Sequence, residues 1–214
     1  MQNSTTVVIA AAGLGSRLGL SLPKSLIVID EKSILCRQLE LLKNYDDIRI
    51  VVGYHAEQVI KHAQEIRKDI LFVFNHNYVD STPLNSLYLA SRYAKEKILY
   101  LDGDLLITPE SLDCIEKFDV TTLGITKTYS CHPVCVEIKK NEEDIFITKF
   151  TREYKEYEWS GLMFTERDKI ENRHLYVYQM FEKYLPLKSI IVDVCEVDTM
   201  QDLEYAKKWI KEKF

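Results

Sequence analysis

Residues Val7 to Lys24, VVIAAAGLGSRLGLSLPK, constrain the fold more than any other stretch of the chain. Val7, Val8 and Ile9 form an unbroken β-branched run, the pattern of a strand covered on both faces rather than one that alternates between core and solvent. Ala10, Ala11, Ala12, Gly13 and Gly15 follow with little side-chain bulk, so backbone N–H groups there can approach an anion closely. Arg17 then offers a planar fork of donors and Lys24 a point charge, and both suit phosphate. The order predicts a buried strand feeding a phosphate-holding loop.

Two other glycine-loop readings fit less well. Glycines at 13, 15 and 19 give G-x-G-x-x-x-G, one residue too long for a dinucleotide fingerprint, and Pro23 interrupts the helix that fingerprint requires. No Gly-Lys-Ser/Thr follows, which removes the P-loop. A plain glycine turn explains G-x-G alone but not the whole string.

Downstream, Ser33 is a predicted N-cap for a helix with Leu35, Leu39 and Leu42 inward, and Ile48 to Val52 returns as a strand. Tyr54 to Lys68 has helical spacing in Ala56, Val59, Ile60, Ala63 and Ile66, and Leu71 to Phe74 is the next strand. Such alternation predicts an α/β, mostly parallel sheet with helices on both faces and ligands at the carboxyl ends of its strands. Asn85 and Ser86 fall in the first turn of a further helix, where capping alone would explain them. From Val120 the pattern changes to consecutive strands at 121–126, 134–138, 145–150 and 158–164, a small antiparallel insert in an otherwise mixed sheet. Asn172 to Tyr184 reads as helical.

Two acidic stretches stand out. Lys97 to Ile107, KILYLDGDLLI, is an apolar strand ending in Asp102-Gly103-Asp104. Paired carboxylates at a strand end repel unless a cation or donors offset them, and with a triphosphate nearby Mg²⁺ suits such hard oxygen ligands. An Asp-Gly turn is the plain alternative. Ile190 to Leu203 carries Glu196 and Asp198 on one face of a strand, then Thr199 as N-cap with Asp202 as its partner at the third helical position.

Taken as a string, A-A-G-L-G-S-R-L-G followed by P-K-S-L resembles the signature of nucleotidyltransferases that join a nucleoside monophosphate to a phosphorylated sugar or alcohol. The acidic stretches and the S-G-L-M-F and L-Y-x-x-x-M segments extend that likeness over nearly the whole chain, most closely to bacterial phosphocholine cytidylyltransferases. The resemblance implies a Rossmann-like, GT-A-like nucleotidyltransferase domain over residues 1–214, with a nucleotide half at about 1–118 and an acceptor half at about 119–214. It implies that Ala11, Ala12, Gly13, Leu14, Gly15, Ser16, Asn85, Ser86 and Asp102 contact the nucleotide, and that Arg17 and Lys24 are catalytic. Mg²⁺ would be held by Asp104, Asp198 and Glu196, and the acceptor by Trp159, Tyr176 and Glu196. The implied partners are a nucleoside triphosphate, CTP first, and a phosphomonoester, in cell-surface polysaccharide or lipid modification. The aromatic residue expected near His132 to Val134 in a choline site is absent, so phosphoalcohols, phosphoamino acids and sugar-1-phosphates all stay open as acceptors. Asp102-Gly103-Asp104 also reads as the D-x-D of a glycosyltransferase, and a nucleotide-binding regulatory module without turnover is a third reading.

Composition narrows the partners. A formal charge of -5 without a polybasic run argues against nucleic acid or an anionic membrane surface. No apolar stretch approaches the roughly 20 residues of a membrane span. Five cysteines scattered at 36, 114, 131, 135 and 195 make no disulfide framework; buried free thiols in a reducing cytoplasm are expected, and the C-x-x-x-C pair at 131 and 135 is a poor zinc motif.

Overall fold

A computed structural model describes residues 4–214, apart from the Ser16 side chain. The first half alternates as its periodicity predicts. Strand β1 (Thr5–Ala11) leads through the glycine loop to a small hairpin, β2 (Val28–Ile29) and β3 (Lys32–Ser33), and then to α1 (Ile34–Leu41). The Ser33 hydroxyl accepts from the Cys36 N–H at 2.9 Å, the expected cap. Next come β4 (Ile48–Val52), α2 (Ala56–Ile66), β5 (Ile70–Phe74), α3 (Pro83–Ser91) and β6 (Lys97–Asp102). Strands β5, β4, β1 and β6 are mutually parallel neighbours in that order.

The unbroken apolar run of β1 is explained by its two faces. Val7 and Ile9 pack with Leu35, Leu39, Val59 and Ala63 from α1 and α2, whereas Val8 packs with Leu84, Leu87 and Ala90 from α3. Each such side chain, wholly removed from water, contributes about 1.5–3 kcal/mol.

The second half is antiparallel for the most part, as expected, and is continuous with the first-half sheet. After β7 (Leu105–Ile107) and α4 (Pro109–Ile115), strands β8 (Thr122–Lys127), β9 (Cys135–Lys140), β10 (Ile145–Thr151), β11 (Tyr157–Glu166) and β12 (Leu187–Ile191) extend the same sheet. Among the described residues the sheet has nine strands, in the order β5-β4-β1-β6-β11-β8-β12-β10-β9. Its far end curls until β9 pairs again with β11, at Tyr157 with Val136 and Glu158 with Cys135. All its new pairings are antiparallel except β12 with β8.

Of the helix predicted over 172–184, residues 172–176 are loop and the rest is helical, ending in a 3-10 turn at Glu182–Tyr184. The α-helical part is α5 (Val177–Phe181), which buries Val177, Met180 and Phe181 in the core and has Tyr176 as its N-cap residue. A final strand, β13 (Val194–Glu196), pairs antiparallel with β7, and α6 (Met200–Lys213) starts at Thr199, whose hydroxyl and N–H both donate to Asp202 at 2.8 Å. The strand expected from Ile190 onward breaks after Ile191, where the chain leaves the main sheet for this two-stranded ladder. Helix α6 packs Leu203, Ala206, Trp209 and Ile210 against Leu18, Ile27, Ile29 and Leu106, tying the C-terminal segment to the glycine-loop region. No helix is long and apolar enough to cross a membrane. All five cysteines are free, with Cys135 and Cys195 buried; Cys131 is exposed, contrary to expectation, because it lies at the rim of the cavity described next.

Candidate active site

The carboxyl ends of β1 and β6 open into a cavity of about 700 Å³. Ala11, Ala12, Gly13, Leu14 and Gly15 line it from the β1 side, with Arg17 and Lys24 beyond them. Gly15 has φ +62°, and a Cβ there would lie 3.0 Å from Lys24 Cγ, so this glycine serves both the turn and the lysine's path.

From β6 come the acids. The Gly103 N–H donates to Ala10 O at 3.0 Å, and a Cβ on Gly103 would sit 2.5 Å from that same oxygen. Only glycine lets the acid turn lie this close to β1. Gly103→Ala is therefore expected to destabilise the fold by about 1–3 kcal/mol, read as a lower midpoint in urea unfolding, because both clashing groups are backbone. A wild-type midpoint would contradict the packing described.

The β7–β13 ladder completes the cluster. Leu105 pairs with Glu196, and the Val197 N–H donates to Asp104 O at 3.0 Å, so two segments about ninety residues apart bring Asp104, Glu196 and Asp198 together. One carboxylate oxygen from each lies within 4.8 Å of the others. Lys24 Nζ donates to Asp104 at 2.7 Å and also to Asp198, and Arg17 pairs with Asp198. Burial opposes the Lys24 charge, but Asp104 and Asp198 outweigh it and hold the ammonium pKa above the ordinary lysine value.

Three carboxylates at such separations repel by roughly 3 kcal/mol per pair at an effective dielectric near 20. Two cations do not balance them. Burial, followed by the charges of Asp104 and Asp102, pushes the Glu196 pKa well above the carboxylate range. Asp102 is pushed up to about 7 by burial and by Asp104, against the opposing Tyr100 hydrogen bond and Lys24. An all-oxygen cluster with this unrelieved repulsion fits a hard divalent cation.

Each acid is held in place. The Gln38 amide in α1 donates to Asp102 O at 2.8 Å and Leu105 O at 2.9 Å, clamping the acid turn from both sides. Tyr100 OH donates to Asp102 at 2.5 Å. Gly161, at φ +76° in a β11 bulge, leaves room for that carboxylate, since a Cβ would lie 2.5 Å from it. The Glu196 N–H donates to Tyr129 OH at 2.5 Å.

Of the other predicted residues, Ser86, Trp159 and Tyr176 line the cavity. Asn85 does not. Its Oδ1 accepts from Thr82 N–H and hydroxyl, and its amide donates to Arg173 O at 3.2 Å, so it caps α3 and faces a second, shallower hollow. Asn75 takes the place in the cavity instead, donating to Ser81 at 2.7 Å and Ser86 at 3.0 Å. Ser16 was also expected at the nucleotide, and its side chain lies outside the described residues. Sequence reasoning missed Gln38, Asn75, Tyr129 and Arg152; only the asparagine-rich run 75–77 carried a signal, the others lying in ordinary helix or strand-edge surroundings.

A glycine loop, a Pro-Lys lysine and an acid trio at the carboxyl edge of a curled mixed sheet define a Rossmann-like nucleotidyltransferase fold. Residues 7–116 match the MobA-like NTP transferase domain, and the chain belongs to that family. It is 44% identical over 57 residues to a 2-C-methyl-D-erythritol 4-phosphate cytidylyltransferase of Shewanella sediminis, which covers 26% of this chain and 24% of that protein. Against the bifunctional protein GlmU of Nitratiruptor it is 35% identical over 106 residues, 48% of this chain and 24% of that one. The chain thus spans about a quarter of the length of these curated relatives. In fold it is similar to the CTP:phosphocholine cytidylyltransferase of Streptococcus pneumoniae, at TM-score 0.76 and 22% identity over 97% of this chain and 99% of that one. The inositol-1-phosphate CTP transferase of T. maritima gives 0.75 and 17% over 99% and 96%.

Proposed function

We propose that this chain, read as one domain, is a nucleotidyltransferase that moves a nucleoside monophosphate, CMP from CTP, onto the phosphate of a small phosphorylated acceptor and releases pyrophosphate. The observation that carries this reading is Lys24, whose ammonium is pinned between Asp104 and Asp198 directly beside an open glycine loop. The CTP-using relatives support cytidine as the base.

In this mechanism Ala11, Ala12, Gly13, Leu14 and Gly15 surround the triphosphate, with Ser16 in the same loop, and Arg17 and Lys24 meet its charge. Ser86 offers its hydroxyl to the base and Asn75, whose amide donates to Ser81 and Ser86, positions it, while Asn85 and Asp102 act at one remove, by capping α3 and by shaping the acid turn. Asp104, Asp198 and Glu196 would hold Mg²⁺, which when bound supplies charge neutralisation at phosphate oxygens. An oxygen of the acceptor phosphate attacks the α-phosphorus in line. The new P–O bond forms as the α–β bridge breaks and its electron pair leaves with pyrophosphate; Lys24 and Arg17 stabilise the charge that develops. No covalent enzyme intermediate is needed. Trp159, Tyr176 and the rest of the 119–214 half form the acceptor side. The product, a nucleoside diphosphate-linked group, suits cell-surface polysaccharide or lipid modification.

Pyrophosphate release, measured with Mg²⁺ and each of CTP, UTP, GTP and ATP against phosphoalcohols, phosphoamino acids and sugar-1-phosphates, tests the reading. Release is expected with CTP and only when an acceptor is present. Turnover of a nucleotide sugar without pyrophosphate release would instead establish a glycosyltransferase, and nucleotide binding without any turnover a regulatory module.

A further inference from the structure

The cavity has a third cation that the reaction above does not use. Among the described residues three permanently charged cations line it: Arg17, Lys24 and Arg152. Arg17 and Lys24 are paired with acids, but Arg152 has no carboxylate partner among the described residues. It follows β10, where the curl of the sheet brings the segment before β9 against β11 through the Trp159 N–H to Val134 O bond of 2.8 Å.

One terminal nitrogen of Arg152, Nη1, donates to His132 O and Pro133 O, each at 3.2 Å, and the guanidinium carbon lies 5.8 Å from the centre of the Tyr178 ring. Tyr178 in turn stacks on Tyr176, with ring centres 6.1 Å apart. The guanidinium is thus oriented by two carbonyls and an aromatic face while Nε and Nη2 make no hydrogen bond to the described residues. Glu158, an acid of the same cavity wall, is spent: its oxygens accept from Tyr129 N–H at 2.9 Å, Ser130 N–H at 3.1 Å and the Ser130 hydroxyl at 2.5 Å, and Glu153, next to Arg152 in the chain, pairs with Lys155 at 3.6 Å. A quaternary ammonium here would face a guanidinium that is paired with no carboxylate, the reverse of what an aromatic cage for a cation requires. A planar carboxylate would find a fork of donors.

We propose that the acceptor is an acidic phosphomonoester, carrying a carboxylate in addition to its transferred phosphate, and that Arg152 is the residue that recognises this carboxylate. The proposal rests on the acceptor side of the nucleotidyltransferase reading. Arg152 determines specificity and takes no part in the chemistry at the α-phosphorus.

The test uses matched pairs: phosphoserine against phosphoethanolamine and phosphocholine, and 3-phosphoglycerate against glycerol 3-phosphate. Binding is measured by titration calorimetry with the protein held in Mg²⁺ and a non-hydrolysable CTP analogue, and pyrophosphate release is measured separately with CTP. At least one carboxylate-bearing member is expected to bind roughly 10- to 100-fold more tightly than its carboxylate-free partner. Arg152→Gln should abolish that ratio without changing affinity for the carboxylate-free member, and Arg152→Lys should restore part of it. A binding preference without turnover would sink the nucleotidyltransferase reading, and with it the name acceptor, while recognition of the carboxylate by Arg152 would stand. Equal or tighter binding of the carboxylate-free members in both comparisons overturns the proposal, as does failure of every phosphomonoester to bind. A uniform loss across all members in Arg152→Gln also overturns it, because Arg152 would then hold the transferred phosphate.

Discussion

Asp104→Ala is expected to lower kcat/KM for pyrophosphate release by about a thousandfold while the protein stays folded. The side chain is one of three convergent carboxylates that the proposed reading assigns to Mg²⁺, so on that reading its loss removes both a metal ligand and a fixed charge at the place where phosphate charge develops. The fold should tolerate the change, since the backbone carbonyl of residue 104, not its carboxylate, receives the Val197 N–H that joins the two acidic segments. Losing a carboxylate also relieves the repulsion felt by Glu196 and Asp102, which Asp104 pushes upward in pKa. Steady-state kinetics across a Mg²⁺ series, beside a urea unfolding curve, checks both halves. Activity within about tenfold of wild type would remove Asp104 from the machinery.

Lys24→Met is expected to have two effects of different kinds. Pyrophosphate release should fall by about 100- to 1,000-fold, the usual consequence of deleting one preorganised charge at a developing oxyanion. Stability in metal-free buffer should fall as well, by about 2 kcal/mol, because Asp104 and Asp198 are only 14% and 12% exposed and are left facing each other and Glu196. The shift on Lys24 is upward, so its contribution is complete below the ordinary lysine pKa of 10.5 and fades only as pH rises beyond it; the loss should be present throughout the neutral range. Mg²⁺ should then raise the melting temperature of Lys24→Met more than that of wild type, since the wild-type ammonium already occupies a position between two of the three acids. An equal rise in both proteins would contradict the arrangement.

Much of this site is legible in the amino-acid sequence. The β-branched run of β1, the small residues after it and the Pro-Lys pair each reflect a local requirement, and local requirements leave marks at fixed spacing. The same holds for Asp102-Gly103-Asp104, whose glycine is forced by the approach to Ala10, and for the Thr199–Asp202 cap of α6. Contacts between distant segments leave no such mark. Gln38 looks like any helix residue, yet its amide clamps the acid turn from more than sixty positions away. The resemblance implies that Asn85 contacts the nucleotide, but its amide is consumed by Thr82 and Arg173, while Asn75 from the preceding loop lines the cavity. The far half of the sheet is readable as strands but not as a curl, because β9 meets β11 only through two residue pairs. That curl is what brings Arg152 to the cavity.

The most direct test of the central claim is the fate of isotope in one turnover. With ¹⁸O in the phosphate of the acceptor and unlabelled CTP, the products are read by ³¹P NMR. Attack by the acceptor on the α-phosphorus puts ¹⁸O in the bridge of the new diphosphate and leaves the pyrophosphate unlabelled. Release of orthophosphate, or a diphosphate product with no ¹⁸O in its bridge, would mean that these residues carry out a different reaction.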